Sequence, residues 1–301
     1  MTTAETYLKV RQVAEALGVS VSTIQRLVDG GSIQANRTIG RHRRLLLSSV
    51  LDYARRERYP VDRLHRFENN PTLTVESCDE SSVDRLVDLL RSGKKREATI
   101  LINSVIDSGR SAVELADNLI RPVMEEIGHG WERGAWDVYQ EHQATQVVIS
   151  ALMGLVHRST SSGKAEGQPL ALVASAEGDP YIMPGLLGEL VLREVGWEVR
   201  NLGVNLPLKS LARAARDQRP ALVFLSAGHL PDPAYFLQEY SHLYKSTSSV
   251  GAPIILGGRA LDPDLRSRLI FASFGDRMAH LAEFARTLLP AISASRPLVR
   301  N

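Results

Sequence analysis

The chain has 301 residues, of which 44% are hydrophobic and 23% are charged, values that are ordinary for a soluble protein of two or three domains. No apolar run is long enough to cross a membrane, and no basic start precedes an apolar segment, so we expect neither a membrane partner nor a secretion signal. The single cysteine, Cys78, excludes an intramolecular disulfide and a multi-cysteine metal site, and the bacterial cytoplasm is the expected location.

The net charge of +2 is unevenly distributed along the chain. Residues 1–66 contain 12 Lys or Arg against 6 Asp or Glu, whereas the remainder contains 24 against 28. A basic N-terminal segment joined to a mildly acidic remainder is typical of a phosphate-binding module attached to another domain.

Residues 7–30 are predicted to form two short helices separated by a tight turn. Gly18 is expected to end the first helix in a left-handed conformation, and Ser20 or Ser22 to cap the second. Residues 32–47 then predict a hairpin with strands at Ile33 and 45–47 and a turn at 39–40, and a further helix is expected from Ser48 to near Arg58.

The tip of this predicted hairpin is strongly basic, because residues 37–44 hold four arginines and one histidine. Arginine suits phosphates and guanine edges, and glutamine can bind adenine, so we expect the second helix in a major groove and the hairpin on the flanking backbone. A solvated basic turn is the alternative. The candidate DNA-binding residues are Ser22, Thr23, Gln25, Arg26, Arg37, Arg41, His42, Arg43 and Arg44. Through residues 13–20, 22–26 and 37–44 the segment resembles the winged helices of the MerR and excisionase proteins.

Two linkers divide the remainder into a helical and an α/β part. Helical patterns at 83–92, 96–109, 111–128 and 136–158 predict a four-helix bundle. Apolar strands at 170–174, 197–199, 221–225 and 253–256 alternate with helices at 185–195, 207–216, 233–245 and 277–290, which predicts a doubly wound parallel sheet with its ligand beyond the strand C-termini.

The expected fold class is therefore multi-domain α/β: an N-terminal winged helix-turn-helix, a four-helix bundle and a C-terminal Rossmann-like sheet. The expected boundaries are 1–58 for the DNA-binding domain, 59–82 for a linker, 83–158 for the bundle, 159–168 for a second linker and 169–301 for the sheet domain.

Trp131 precedes Glu141-His142 by nine intervening residues in the predicted bundle. Taken alone, a bundle Trp and a surface Glu-His pair are commonplace. With the order of head, bundle and sheet, however, the pattern resembles the cobalamin-dependent photoreceptor repressors of the MerR superfamily over nearly the whole chain. The resemblance implies adenosylcobalamin between bundle and sheet, with Trp131 over the adenosyl group, Glu141 in contact with it, and His142 able to reach cobalt after light breaks the cobalt–carbon bond. It also implies a DNA-bound tetramer that light dismantles.

The sheet domain departs from that family at the ligand below cobalt. The family carries an Asp/Glu-x-His-x-x-Gly motif there, with the corrinoid's own base inserted into the sheet, whereas this chain reads EGDPYIMPG at 177–185. Aligned on Gly185, the His position holds Ile182; aligned on Asp179, it holds Tyr181. Isoleucine has no donor atom, and a phenol with a pKa of about 10 must ionise to bind a metal well.

Other parts of the family's pocket are retained. Ser226 matches the serine that follows the third strand, and Gly257-Gly258 match the glycines that admit the corrinoid's tail. A tight turn from strand to helix would explain the two glycines equally well.

Three interpretations of the pocket stay open: adenosylcobalamin bound without the lower histidine, a different tetrapyrrole such as biliverdin, or an unliganded repressor controlled by protein contacts. The lost ligand favours biliverdin, with Tyr181, His229, Trp131 and His142 at its pyrrole rings and propionates. Cys78 lies in the linker, so a thioether bond to a bilin is not expected.

A corrinoid methyl carrier, like the modules of methionine synthases, is the competing enzyme-related class. Its chemistry uses the missing histidine, and the sequence shows neither a Gly-rich phosphate loop nor a nucleophile elbow. We therefore expect no catalysis. The expected protein is a light-responsive regulator, a repressor by preference, whose partners are double-stranded operator DNA and further copies of itself in a dimer or tetramer.

Overall fold

The computed structural model describes residues 7–37, 43–57, 59, 80–160 and 167–294. The chain divides into two compact units, one made of residues 1–77 with 103–110 and the other of residues 78–102 with 111–301. Cys78 and most of the expected linkers lie outside the described residues. Among the helices that are described, none is long and apolar enough to cross a membrane.

The N-terminal head is a small helical domain closed by an antiparallel sheet. In chain order its elements are β1 (Tyr7–Lys9), α1 (Val10–Leu17), α2 (Val21–Asp29), β2 (Ala35–Arg37), β3 (Arg43–Leu46) and α3 (Leu47–Arg56). The strand order is β1-β3-β2. Apolar side chains from α1, α2 and α3, among them Val13, Ile24 and Val50, are fully buried in one core.

The turn between α1 and α2 forms as the sequence predicts. Gly18 has a φ of +70°, and the Ser20 hydroxyl accepts a hydrogen bond from the Thr23 amide at 3.1 Å, so Ser20 rather than Ser22 caps α2. The hairpin prediction was wrong at both ends. Ile33 is buried but precedes β2, and Leu47 begins α3 instead of continuing β3.

The sequence pattern did not predict β1. Residues 7–9 precede the first helix and pair with β3, with Tyr7 opposite Leu46 and Lys9 opposite Arg44. A three-residue strand carries too little periodicity to be recognised before its partner is known.

The helical bundle is made of α4 (Glu80–Arg91), α5 (Lys95–Asp107), α6 (Ala112–Leu115), α7 (Arg121–Glu132) and α8 (Val138–Thr160). A π-helical turn at Ala116–Ile120 joins α6 to α7, so 112–132 is one continuous helix with a local widening. Helix α7 ends at Glu132, and Gly134, which has a φ of +70°, lies in the turn between α7 and α8.

The C-terminal part is a five-stranded parallel sheet with the strand order β5-β4-β6-β7-β8. Its strands are β4 (Leu170–Ser175), β5 (Glu198–Asn201), β6 (Leu222–Ser226), β7 (Ile254–Gly257) and β8 (Ser273–Gly275). Its helices are α9 (Met183–Val195), α10 (Leu208–Gln218), α11 (Pro233–Ser249), α12 (Pro263–Ser267) and α13 (Met278–Ala294).

Helices cover both faces of this sheet, as expected for a doubly wound fold. Helices α9 and α13 pack on one face, where α9 contacts β4 and β6, and α10 and α11 pack on the other. The four predicted strands are confirmed within one or two residues, but β8 and the short α12 were not predicted.

Candidate functional site

The exposed face of α2 carries three of the candidate DNA-binding side chains. Ser22, Gln25 and Arg26 are exposed, whereas Thr23 is half-buried. The Thr23 hydroxyl lies 2.8 Å from the Ser20 hydroxyl, so it belongs to the helix cap and is less free to reach a base than its neighbours.

The β2–β3 hairpin supplies the remaining basic positions. Arg37 is opposite Arg43, and Asn36 is opposite Arg44, so arginine positions flank both sides of the connection between the two strands. Arg41 and His42, together with the predicted turn at 39–40, lie outside the described residues.

Two carboxylates fasten the bundle to the sheet domain by binding backbone amides. Glu194, near the end of α9, accepts a hydrogen bond from the amide of Ala112 at 2.6 Å. Asp117, within the π-helical turn, accepts hydrogen bonds from the amides of Met278 and Ala279, both at 2.9 Å. Each carboxylate lies at a helix N-terminus, where unpaired amides and the helix dipole favour a negative charge.

These contacts set the direction of the 112–132 helix. Helix α9 begins at the edge of the sheet where the parallel strands end, called here the C-terminal edge, so Glu194 lies toward the opposite edge. Met278 follows β8 and lies at the C-terminal edge. The 112–132 helix therefore runs toward this edge, and the 15 residues after Asp117 extend it by about 22 Å at 1.5 Å per residue.

The bundle tip, residues 131–142, accordingly lies at the end of the bundle that points toward the C-terminal edge of the sheet. Trp131 is 52% exposed there, and Val138 and Tyr139 are also exposed. The His142 side chain is 74% exposed and its Nε2 lies 3.5 Å from a Glu141 oxygen. The other Glu141 oxygen accepts a hydrogen bond from the Thr145 hydroxyl. The candidate residues Trp131 and His142 are therefore both accessible at this end of the bundle.

A second tryptophan at the tip has a structural role that the sequence does not predict. Trp136 is 2% exposed, and its ring lies against Gly130, where any Cβ would overlap it. The guanidinium of Arg91 lies 5.0 Å from the Trp136 ring centroid. Trp136 thus closes the α7–α8 turn and leaves Trp131 as the exposed tryptophan.

At the C-terminal edge, Asp179 joins the loops that follow β4 and β6. It is fully buried, and its two carboxylate oxygens accept hydrogen bonds from the amides of Tyr181, at 2.9 Å, and Gly228, at 2.6 Å. Its own carbonyl accepts from the amide of Asn205, at 3.0 Å. Both carboxylate oxygens therefore bind backbone, and Asp179 positions the edge loops.

Tyr181 lies over the strand ends and is paired with an arginine that the sequence did not single out. Its hydroxyl accepts a hydrogen bond from Arg259 at 2.9 Å, and the guanidinium lies 5.2 Å from the ring centroid. Arg259 also donates to the carbonyl of Gly228 at 3.4 Å. The two residues are 78 positions apart, so no local sequence pattern could have predicted their contact.

The other candidates occupy different places around this edge. Ile182 is half-buried as the N-cap of α9, and Gly185 is buried in the first turn of that helix. His229 is exposed in the loop after β6. Of the two residues that align with the family's histidine, Tyr181 is the one that lies beside Gly228 at the strand ends.

Ser226, Gly257 and Gly258 lie at the ends of β6 and β7. Ser226 is 1% exposed. Gly258 has a φ of +118°, and a Cβ there would overlap the carbonyl oxygen of Ala227. At Gly257 a Cβ would lie 3.0 Å from the Gly275 carbonyl oxygen and 3.4 Å from the Phe224 ring. Gly258 is thus required by the turn after β7, whereas a Cβ at Gly257 would fit only if its neighbours shifted slightly.

Two segments of the chain match models of known protein families. A helix-turn-helix domain family matches residues 7–58, and a B12 binding domain family matches residues 82–154. The HTH-type transcriptional repressor CarH of Myxococcus xanthus is 30% identical over 163 residues, 53% of this chain and 52% of CarH. CarA from the same organism is 25% identical over 185 residues, 60% of each chain. The chain is therefore similar to two HTH-type repressors over somewhat more than half of its length.

The chain spans a little more than half the length of the repressors that it matches. Its fold is also similar to that of the monomethylamine corrinoid protein of Methanosarcina barkeri, with a TM-score of 0.56 and 16% identity over 70% of this chain and 99% of the other. The matches support a corrinoid as the class of tetrapyrrole. They give no support to biliverdin, which the missing histidine had favoured.

A cobalamin held as the family resemblance implies does not fit the sheet domain. Neither residue at the His position offers a ligand nitrogen, since one is Ile182 and the other is Tyr181, whose hydroxyl is hydrogen-bonded to Arg259. The Phe224 ring lies against Gly257, where the tail would pass. The bundle side does retain the expected Trp131, Glu141 and His142. Among the described residues, no three His, Cys, Asp or Glu are grouped as a metal site.

Replacing Asp117 with alanine is expected to lower the free energy of unfolding by about 2–4 kcal/mol, because two amides of α13 lose a charged acceptor. Chemical denaturation followed by circular dichroism measures this loss. Glu125→Ala is the matched control, since Glu125 forms an exposed ion pair with Arg121 worth at most about 1 kcal/mol. Equal losses in the two variants would contradict the docking role of Asp117.

Proposed function

We propose that the chain is a DNA-binding transcription regulator, acting as a repressor, whose state is set by a tetrapyrrole held between the bundle tip and the C-terminal edge of the sheet. One observation carries this proposal: a helix-turn-helix match at 7–58 and a B12-binding match at 82–154 occur in a single chain. Similarity to two repressors supports repression rather than activation.

The head reads DNA with α2 in a major groove and the β2–β3 hairpin on the adjacent backbone. Gln25 and Arg26 are exposed on α2, where they can contact base edges. The arginines at 37, 41, 43 and 44 bind phosphates, which give affinity without sequence information. The domain boundaries are those of the sequence analysis, and both the head and the bundle-plus-sheet part act as units.

The ligand controls affinity by changing how copies of the chain assemble. A dimer or tetramer brings several heads onto adjacent half-sites, so the second head binds at a high effective concentration and modest interface changes alter affinity strongly. Light acts on the tetrapyrrole and shifts the assembly because the two ligand states make different contacts. A corrinoid is the first candidate; biliverdin is the second, on the absence of a histidine at 181 or 182.

The hairpin test uses Arg43→Ala combined with Arg44→Ala. Each lost phosphate contact lowers the slope of log affinity against log salt by about 0.9, so the double variant should lose about two units of slope and bind all duplexes more weakly. Binding is measured by fluorescence anisotropy on a duplex selected from a random library by the wild type and on a scrambled duplex of equal composition.

A second double variant tests base recognition, and a third serves as a surface control. Gln25→Ala with Arg26→Ala should weaken the selected duplex about tenfold or more and the scrambled duplex much less. Lys209→Ala with Arg213→Ala, exposed on α10, should change neither. Unchanged DNA binding in the hairpin variant would overturn the placement of the head on DNA. Unchanged oligomer size and DNA affinity with adenosylcobalamin and with biliverdin, in dark and light, would overturn ligand control.

A further inference from the structure

The side chain of Phe224 fills the space between the sheet and α9, directly below the C-terminal edge. It is 5% exposed. A Cβ at Gly188 would lie 2.5 Å from Cε1 of the ring, and a Cβ at Gly257 would lie 3.4 Å from Cε2. The ring therefore spans from the middle of α9 to the end of β7, and the glycine at 188 is needed to admit it.

Phe224 and Ser226 share one face of β6, because side chains alternate along a strand. The neighbours Val223 and Leu225 belong to the core on the opposite face, with Leu211 and Tyr240. The serine and glycines that match the family's tail pocket thus line a space whose floor is a phenyl ring. A nucleotide base could enter only by displacing a buried aromatic side chain.

Above this ring, the edge presents a flat polar and aromatic surface instead of a ligand nitrogen. The Tyr181 ring and the Arg259 guanidinium are held together by a hydrogen bond of 2.9 Å, and Tyr181 is 41% exposed. Such a pair can stack on a macrocycle and bind a carboxylate or amide at its rim. Neither Tyr181 nor Arg259 makes a contact for which the ligand would need a base-bearing tail.

We propose that this chain holds its tetrapyrrole by the ring alone, with no base-bearing tail inserted into the sheet. The inference rests on the proposed function, in which a tetrapyrrole occupies the bundle–sheet site, and it defines the class of ligand: a corrinoid bound without its tail in the sheet, or a tetrapyrrole that has none. The bundle tip covers the opposite face of the ring with Trp131 and His142.

The first experiment compares adenosylcobalamin, adenosylcobinamide, which lacks the base, and biliverdin on the full chain in the dark. Equilibrium dialysis gives Kd values, and the visible spectrum reports whether the base of bound cobalamin is coordinated. We expect adenosylcobinamide to bind at least as tightly as adenosylcobalamin, whose base must leave cobalt before the ring can lie on Tyr181, with any bound cobalamin in its base-off form. A preference of tenfold or more for adenosylcobalamin overturns the inference and leaves the proposed function standing. Absence of binding by all three ligands overturns both.

The second experiment opens the space by replacing Phe224 with alanine. The variant should gain tenfold or more in affinity for adenosylcobalamin, with no matching gain for adenosylcobinamide. Phe236→Ala is the control, since Phe236 is similarly buried on the opposite face of the sheet, with its ring centroid 5.8 Å from that of Tyr240. An equal change for both corrinoids, or the same gain in the control, contradicts the inference. If the alanine variant does not fold, the wild-type comparison decides the question.

Discussion

Replacing Gly258 with alanine is expected to prevent stable folding of the sheet domain. The glycine has a φ of +118°, which L-residues rarely adopt, and an added Cβ would overlap the backbone carbonyl of Ala227. A backbone atom cannot move aside as a flexible side chain can, so strain and overlap together should cost more than about 4 kcal/mol. We expect the midpoint of thermal unfolding to fall by about 10 °C or more, or the soluble protein to be lost.

Gly251→Ala is the matched control for this experiment. Gly251 also has a positive φ, +73°, but a Cβ there meets open space. Its replacement should cost only about 1–2 kcal/mol, the ordinary penalty of a left-handed conformation. If the two alanine variants unfold at similar temperatures, the overlap with Ala227 is not a real constraint and the turn after β7 is looser than described.

This comparison also separates two explanations of the glycine pair. The sequence left open whether Gly257 and Gly258 admit a ligand tail or make a tight turn. The structure gives each a backbone or packing neighbour within the protein itself. A loss of folding in Gly258→Ala without any ligand present would show that the turn alone demands the glycine, and the pair would then be weak evidence for a tail pocket.

Local chemistry explains which parts of the fold could be predicted. The roles of Gly18 and Ser20 depend only on residues close to them in sequence, and both were predicted correctly. The four apolar strands of the sheet are recognisable because parallel strands are buried on both faces. Strand β8 escaped recognition because its three residues, Ser273–Gly275, carry no continuous apolar run.

The site was less predictable because its decisive contacts join distant parts of the chain. Asp117 binds an amide 161 residues away, and Tyr181 pairs with Arg259. The meaning of Phe224 was hidden for a different reason. A phenylalanine in an apolar strand is expected of any buried sheet, and only its position between Gly188 and Gly257 shows that it occupies the expected tail space. The missing histidine is visible in the sequence, whereas the phenyl ring that closes the space beneath it is visible only in the structure.

Replacing Asp179 with alanine is expected to cost about 3–5 kcal/mol and to free the loop that carries Tyr181. The two amides bound by the carboxylate, at Tyr181 and Gly228, would lose their acceptor in a fully buried site, and an unsatisfied buried donor costs about 1–3 kcal/mol. Denaturant unfolding measures the loss. Asp232→Ala is the control, because Asp232 also accepts from two backbone amides but is exposed at the start of α11, where water can replace it at a cost of about 1 kcal/mol.

Asp179→Asn tests whether both oxygens are needed. The amide keeps one acceptor but turns an N–H₂ group toward the second backbone donor, so the asparagine variant should be nearly as unstable as the alanine variant. The same change should weaken tetrapyrrole binding, because the loops after β4 and β6 that hold Tyr181 beside Gly228 are no longer joined. An asparagine variant as stable as the wild type would mean that one hydrogen bond suffices, and Asp179 would then not be needed to join the loops after β4 and β6.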